Sequence, residues 1–361
     1  MTRILDIRDH PPAHLQRIPG PKAIQYFLQQ GTTEPQHQPV PSTRTIWEVL
    51  KANGRIVNRT ATLSHPVERP SPLQAWEIDF KDVNGVNIPD THKRQHLLEC
   101  LNVVDAGTSI AVDFRLHTDF NAQSVVEALV SVFRHHGLPE SITLDRDVRF
   151  VGSWTARDFP SACLRLLACL GVNAIICPPR TPQRKPFVER YNGTYERECL
   201  QVCRPTDLAQ AQAVTEQFVQ HYNGERPNQA WSCGNRPPRV AFPVLPPLRP
   251  LPDLIDPDAW LQRVAGRTYV RRINHNGTIK LDTHVYYIKR ALAGQQVSVS
   301  VDVANGDLVV QLHRTTVKRL PIRGLQRQRM PLEEFVTFML EQAQSEWRRY
   351  LAHRFTLTRS A

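Results

Sequence analysis

The chain has 361 residues, 41% of them hydrophobic, which is enough for two or three domains with real cores. Its 45 Lys and Arg against 34 Asp and Glu leave a formal charge of +11, a balance that favours a polyanionic partner, nucleic acid first and a membrane surface second. No apolar run is long enough to span a bilayer, residues 1–20 carry no signal-peptide core, and 7 cysteines without a paired CxxC fit a reducing compartment better than a disulfide framework or structural zinc site.

The 29 prolines gather at 35–41, at 66–72 and most densely at 236–257, and these stretches read as linkers because proline removes a donor and stiffens an extended chain. Ahead of them, IPGPKAIQYFLQQ (18–30) reads as a helix with Ile24, Phe27 and Leu28 on one face. PSTRTIWEVLKANGRI (41–56) reads as a second, capped by Ser42 or Thr43, striped by Ile46, Val49 and Leu50, and stopped at Gly54. Arg44 and Lys51 decorate its exposed side, so residues 1–60 read as a helix-turn-helix DNA-binding segment; a helical hairpin used only for packing is the plainer alternative.

Residues 72–235 alternate strand and helix signals. LQAWEIDFKDV, HLLECLNVVDAG and SIAVDFRLHT are strand-like, and FNAQSVVEALVSVFRHHG is an amphipathic helix closed by Gly137. ESITLD reads as a buried strand, SACLRLLACLG as a helix, VNAIICPP as a strand, and PFVERYNGTYERECLQVC as a helix with Pro186 in its first turn. The order β-β-β-α-β-α-β-α implies a mixed α/β sheet with helices on both faces. After a Pro-rich linker (236–262), residues 263–323 show short alternating strands with turns at Asn276-Gly277, Gly294 and Asn305-Gly306, the pattern of a small barrel. Residues 330–355 form a final helix, striped by Phe335, Met339, Trp347 and Leu351, with acids in its first turn and bases in its last.

Three acids are hard to explain as ordinary surface. Asp79 and Asp145 each end a β-like apolar run, and Glu189 opens a helix after a Pro-rich basic loop. The strand order places the three at one end of the sheet, where carboxylates suit Mg²⁺ or Mn²⁺, and metal held there serves in-line displacement at phosphorus. Asp82, Asp105, Asp113 and Asp147 are competing acids, and in a chain with 34 acids a bare triple is a weak signal. Arg184, Lys185 and Arg190 flank Glu189 and read as DNA-contacting bases, with a solvated basic loop as the alternative. Tyr191 and Asn192 divide evenly between facing DNA and packing the helix. Trp76 reads as core, His221 as structural, and Arg226 either locks the linker or touches DNA. Arg271, Arg272 and Lys280 give the small barrel a basic face.

The context of these acids resembles the retroviral-integrase-like DDE transposases of bacterial insertion sequences. Trp76 to Asp79 is similar to the W-x-x-D of that family's first catalytic strand, and NVVDAGTSIAVDF (102–114) to its second and third strands. LDRDVRFVG (144–152) resembles its D-N-G-x-E-F stretch, PPRTPQRKPFVERYNGTYERE (178–198) its S-P-x-x-P-x-x-N-G-x-V-E-R-x-N stretch, and HYNGERPNQAW (221–231) its Y-N-x-x-R-P-H-x-A-L signature. Arg146, Asp147 and Arg149 depart from the pattern after the second Asp. Lys185 and Pro186 stand near the usual Asn-Gly, and Asn228 replaces the usual His. The interval from Asp145 to Glu189 is longer than in typical members, and the extra residues are assigned to a loop in GSWTARDFPSA.

The resemblance implies an RNase H-like five-stranded core, preceded by the helix-turn-helix segment and followed by an SH3-like barrel and the terminal helix. Of the two-part helix-turn-helix common in the group, only the second half is visible. Asp79, Asp145 and Glu189 are then ligands of two Mg²⁺ or Mn²⁺ ions that cut a DNA strand and join a 3′-hydroxyl. The resemblance further implies double-stranded DNA (element ends and target) as partner, a homo-oligomer on DNA, no membrane, and a bacterial cytoplasmic location. The rival readings are an RNase H-like nuclease that cuts without joining and a domesticated, non-catalytic DNA-binding protein.

Overall fold

The computed structural model describes residues 2–12, 15, 17–30, 39–56, 68–83, 98–152, 159–178 and 184–359, the last seven of these for backbone only. The Pro35–Pro41 and Pro66–Pro72 clusters, the loop in GSWTARDFPSA and the start of the basic loop before Glu189 fall wholly or partly outside them. The elements begin with α1 (Thr2–Asp9), α2 (Pro21–Gln30), α3 (Thr43–Ala52), β1 (Ala75–Asp82), β2 (Glu99–Asp105) and β3 (Ala111–His117). There follow α4 (Ala122–His136), β4 (Ser141–Leu144), α5 (Val148–Val151), α6 (Ala162–Cys169), β5 (Asn173–Ile176), α7 (Pro186–Tyr195), α8 (Gln201–Cys203), α9 (Leu208–Gly224) and α10 (Pro238–Ala241). The C-terminal part holds β6 (Leu254–Ile255), β7 (Thr268–Arg272), β8 (Thr278–Leu281), β9 (His284–Tyr287), β10 (Gln296–Asp302), β11 (Asp307–Leu312), β12 (Thr315–Pro321), β13 (Met330–Pro331) and α11 (Leu332–Arg359).

Strands β1 to β5 form one mixed five-stranded sheet in the order β3-β2-β1-β4-β5, the RNase H-like arrangement expected from the sequence. The first three make an antiparallel meander, in which Asp79 faces Asn102 across β1 and β2. The last two run parallel, Leu144 facing Ile176. By contact the chain divides into two compact units, one comprising 1–119 and 182–247, the other 120–181 and 248–361. Among the described residues no helix is long and apolar enough to cross a membrane.

In the first unit, α1, α2 and α3 close over Ile4, Ile24, Leu28, Ile46 and Leu50. Ser42 caps α3 as anticipated, accepting the Thr45 N–H at 3.1 Å. Helix α1 went unread in the sequence, where TRILDIRD has only one short apolar cluster and no capping signal at its start. On the other side of the unit, α7 and α9 pack on the meander around Tyr191, Tyr195, Phe218 and Tyr222. Tyr191 meets Tyr222 edge-on with centroids 4.9 Å apart, and the buried Tyr195 hydroxyl pairs with the Thr215 hydroxyl at 2.6 Å. The single helix expected over 186–203 is interrupted: a π-turn at Glu196–Leu200 separates α7 from α8. The wider turn accompanies the burial of Glu198, Cys199 and Leu200 together, and a regular spacing would carry successive residues to different faces.

In the second unit, α4 starts at a capping box between Asn121 and Ser124, and it is closed by Gly137, as its sequence pattern implied. The expected small barrel is seen as two ribbons over one core: a four-stranded sheet β12-β11-β10-β7 and the hairpin β8-β9. Tyr269, Ile279, Leu281, Tyr286, Val299 and Val310 fill the space between them. Helix α11 buries Phe335, Val336, Met339 and Ala343, so its stripe stops short of Trp347, which stacks on Tyr350 instead. Its Glu346 accepts the Ala162 N–H at 2.8 Å at the start of α6. The Pro-rich stretch is less free than a linker. Leu138 bridges to Arg249, whose guanidinium reaches the Leu170 carbonyl at 2.7 Å, and β6 pairs with β13. Proline fixes the extended backbone, and the non-proline residues between supply the pairing groups.

The turn from β2 to β3 is tied to the segment before β1. Arg69 donates to the carbonyls of Ala106 and Gly107, and a Cβ at Gly107 would lie 2.7 Å from the Ser71 carbonyl oxygen and 2.9 Å from that of Pro70. Gly107→Ala is therefore expected to destabilise the chain by about 1–3 kcal/mol, the usual range for forcing extra volume into a packed site. Urea unfolding measures this, and an unchanged midpoint would show that the segment before β1 yields freely.

Candidate active site

Strand β1 alternates Trp76 and Ile78 into the apolar core with Glu77 and Asp79 on its other face. The strand runs on to Asp82, so Asp79 lies within it, inside the strand-like run LQAWEIDFKDV. Glu77 is 4% exposed, and its Oε2 accepts the backbone N–H groups of Phe187 and Val188, both at 2.8 Å. These are orphan donors of the first turn of α7, where the N-cap residue Lys185 makes no side-chain cap. A carboxylate from a neighbouring strand thus does the work of an N-cap and fixes where α7 begins against β1.

That placement brings side chains of α7 and its N-cap onto Asp79. Lys185 Nζ lies 2.7 Å from Asp79 Oδ1, and Asn192 Nδ2 donates to Asp79 Oδ2 at 2.9 Å. Asn192 is itself oriented by Asn102 on β2, which donates to its Oδ1 at 2.8 Å. Cys100 completes the buried run with a contact from Sγ to Asn102 Oδ1 at 3.2 Å. Glu189, in the first turn of α7, is close enough for the charge of Asp79 to be felt: partial desolvation raises its carboxyl above the ordinary range, Asp79 raises it further, and Lys185 opposes both.

Asp145 belongs to the second unit, where it follows the last residue of β4. Its Oδ1 accepts the Asp147 N–H at 2.9 Å, an Asx-type turn that leads into α5. Asp147 caps α5 through the Arg149 N–H and is gripped by the Arg149 side chain at 2.9 and 2.7 Å. Two of the three residues that depart from the pattern here, Asp147 and Arg149, thus pair with each other. Among the described residues no group of three or more His, Cys, Asp or Glu side chains is gathered as a ready metal site.

The bases named from the sequence divide. Arg184 and Arg190 are exposed beside Glu189, whereas Lys185, grouped with them as DNA-contacting, is buried and taken up by Asp79. Arg44 pairs with Glu48 at 3.1 Å, and Lys51 lies 4.9 Å over the ring of Trp47, both on the exposed side of α3. Arg226 grips the buried Glu198 at 2.7 and 2.9 Å, a tie within its own unit. The competing acids are also occupied: Asp105 accepts the Thr108 N–H and hydroxyl, and Asp113 pairs with Arg115. Glu77 is the residue that sequence reasoning missed, and Asn192, weighed there between DNA and helix packing, instead holds Asp79. The alternation W-E-I-D puts Glu77 on the same face as Asp79, and that was the one available signal.

Residues 170–238 match the model of the integrase core domain, a segment that includes β5, α7 and α9. That match is confined to this segment, and the chain is also similar to proteins of bacterial insertion elements. It is 28% identical over 171 residues to the insertion element IS476 uncharacterized 39.2 kDa protein of Xanthomonas euvesicatoria, covering 46% of this chain and 43% of that one. It is 29% identical over 160 residues to the insertion element IS407 uncharacterized 31.7 kDa protein of Burkholderia multivorans, covering 44% and 52%. The chain thus spans about half the length of the curated relatives it matches. Among solved structures it is similar to the catalytic core of BIV integrase (15% identity, TM-score 0.33, 47% of this chain and 93% of that one). It is also similar to the HTLV-2 integrase catalytic core in complex with magnesium (13% identity, TM-score 0.34, 48% and 99%).

Asp79 and Glu189 offer carboxylate oxygens, the donor type that hard divalent cations bind, so they fit Mg²⁺ or Mn²⁺ in kind; burial first and the charge of Asp79 second raise the Glu189 carboxyl. Glu77 has a separate signature. Burial carries its carboxyl from an ordinary 4.5 up to about 7, against the two helix N–H groups, which lower it. A folded-state value above the unfolded one means that the folded chain holds the extra proton between these values. This contribution to stability is therefore full below about 4.5 and is lost as pH rises through 7. With a chelator present, the urea midpoint is expected to fall between pH 5 and 7.5, and Glu77→Gln is expected to flatten that fall. An identical pH slope in the variant would show that Glu77 ionises as an ordinary surface acid.

Proposed function

We propose that this chain is a DDE-type transposase, which cuts one DNA strand at the end of a mobile element and joins the 3′-hydroxyl to target DNA. The observation that carries the reading is the contact of Lys185 and Asn192 with Asp79, which docks the start of α7, and with it Glu189, on the central strand β1 of a chain that matches the integrase core domain over residues 170–238 and has a net charge of +11. Asp145, which follows β4 of the same sheet, is assigned as the third carboxylate.

These three acids would hold Mg²⁺ or Mn²⁺ as ligands and not as proton donors or acceptors. The bound cation would supply Lewis-acid polarisation of the phosphoryl group and a lowered pKa for the attacking water or hydroxyl. The protein's own residues do the rest. Asn192, oriented by Asn102, fixes the Asp79 carboxylate, and Glu77 fixes the first turn that carries Glu189. Arg184 and Arg190 are exposed beside Glu189 and are assigned to backbone phosphates. The exposed face of α3, with Arg44 and Lys51, is assigned to double-stranded DNA at the element ends. A homo-oligomer on DNA, working in a bacterial cytoplasm, completes the proposal.

Glu189→Ala and Asp79→Asn are each expected to lower both cleavage and joining of labelled element ends by about two orders of magnitude or more, the scale of losing several kcal/mol of charge stabilisation. DNA affinity should stay within about twofold, because phosphate contacts by bases dominate it. Full-rate joining by Glu189→Ala would sink the assignment. Metal-dependent cutting without any joining would leave a nuclease in its place.

A further inference from the structure

Among the described residues Trp231 is the most exposed large apolar side chain, at 97%. Trp76 and Trp260 are buried, and Trp47 is only 37% exposed and lies beneath Lys51. An indole carries a large apolar surface that folding normally hides. Among the described residues no ring or cation stacks on Trp231. In HYNGERPNQAW it stands where the resembled pattern ends in Leu, so the flat ring is a feature of this chain and not of the pattern.

The exposure is not that of a loose end. Trp231 opens a 3-10 turn (Trp231–Cys233) closed by its own hydrogen bonds. The Trp231 carbonyl accepts the Gly234 N–H at 3.1 Å, and the Ala230 N–H donates to Asn228 Oδ1 at 2.9 Å. The Asn228 N–H donates to the Arg236 carbonyl at 3.1 Å and shuts the loop. Cys233 is buried, its Sγ 3.4 Å from the Thr108 carbonyl, which anchors the turn beside the β2–β3 connection. Asn235 donates to the Lys22 carbonyl at 2.6 Å and ties the same turn to α2. The indole is thus held out on a fixed support, with little but its own torsions left to order on binding.

The surroundings select the partner. A protein contact centred on Trp has a core depleted of charge, whereas the neighbours of Trp231 in the turn are Ala230, Ser232, Gly234 and Asn235. From Arg226 to Pro252 the chain has no acid. Arg236 and Arg239 are exposed without an ion pair among the described residues, and Arg239 lies on α10, which packs against the turn. One flat ring beside free guanidinium groups suits a nucleic-acid strand, whose base stacks while its phosphates meet the charge. A paired duplex hides its base faces, so the base must be an unpaired one, as at a cut end.

We propose that Trp231 is a stacking platform for one unpaired DNA base, with Arg236 and Arg239 on the phosphates of the same strand. This rests on the reading of the chain as a DNA-acting protein and adds a contact outside its carboxylates.

The test uses the full-length chain without metal, a single-stranded oligonucleotide carrying one 2-aminopurine, and the fully paired duplex of the same sequence. Removing a side chain so exposed costs no packing, and circular dichroism melts check that the variants are folded. Wild type is expected to quench the single-stranded probe. Trp231→Ala should lose most of that quenching and bind the single strand about tenfold more weakly, the scale of one base–aromatic stack, while Trp231→Phe keeps most of both. Duplex affinity should stay within about twofold throughout, because phosphate contacts carry it. Equal quenching and affinity in wild type and Trp231→Ala overturn the proposal, and so does an equal loss on both probes. Val240 and Val244 are exposed as well. If Trp231→Ala instead sediments as a smaller species without DNA and binds the single strand as wild type does, the surface is a contact between copies and the proposal fails. No binding of either probe removes the DNA reading itself, and this inference with it.

Discussion

Everything proposed for the site depends on one buried carboxylate holding one helix start. Glu77 stands two residues from Asp79 on the same face of β1, and it satisfies two backbone N–H groups of α7 that no local cap reaches. A helix can slide or rotate on an apolar sheet at modest cost, but it cannot do so while its first turn is hydrogen-bonded to a side chain with almost no access to water. The clamp therefore sets the register of α7 on β1. Register in turn decides that Lys185 and Asn192, at the start and middle of one helix, meet the acid two residues further along the strand.

The polar groups around Asp79 form a network in which each member fixes the next. Asn102 faces Asp79 across the β1–β2 ladder and orients Asn192, and Asn192 orients Asp79. Buried networks of this kind are costly when any member is unpaired and rigid when all are paired. Rigidity is what the proposed phosphoryl transfer would require, because its carboxylates would have to hold their positions before any charge develops. The aromatic cluster of Tyr191, Tyr195, Phe218 and Tyr222 backs the network from the far side of α7 and anchors it to α9.

Much of this was legible in the sequence. The alternating runs and their order yielded the mixed five-stranded sheet, since apolar periodicity and short connections leave few ways to stack those elements. Asp79, Asp145 and Glu189 stood out because each sat at the border of such a run. Less was legible where side chains take their meaning from another part of the chain. Glu77 looks like the polar side of a half-exposed strand until α7 lies over it. Lys185, in a run of bases, looks like a solvated charge until the helix start turns it onto Asp79. The π-turn after Tyr195 follows from which residues bury together, and no local propensity announces it. The proline-dense stretch misled for the opposite reason: its composition signals an extended chain, yet Arg249 and Leu254 tie it to the second unit.

The central claim is that the acid fixed by this network is a metal ligand. The most direct measurement is anomalous diffraction from crystals of the chain grown with Mn²⁺. The account predicts a peak at about 2.0–2.2 Å from carboxylate oxygens of Asp79 and Glu189, the distance expected for a small hard cation. Mn²⁺ peaks confined to other acids, with no ion touching either Asp79 or Glu189, would contradict it.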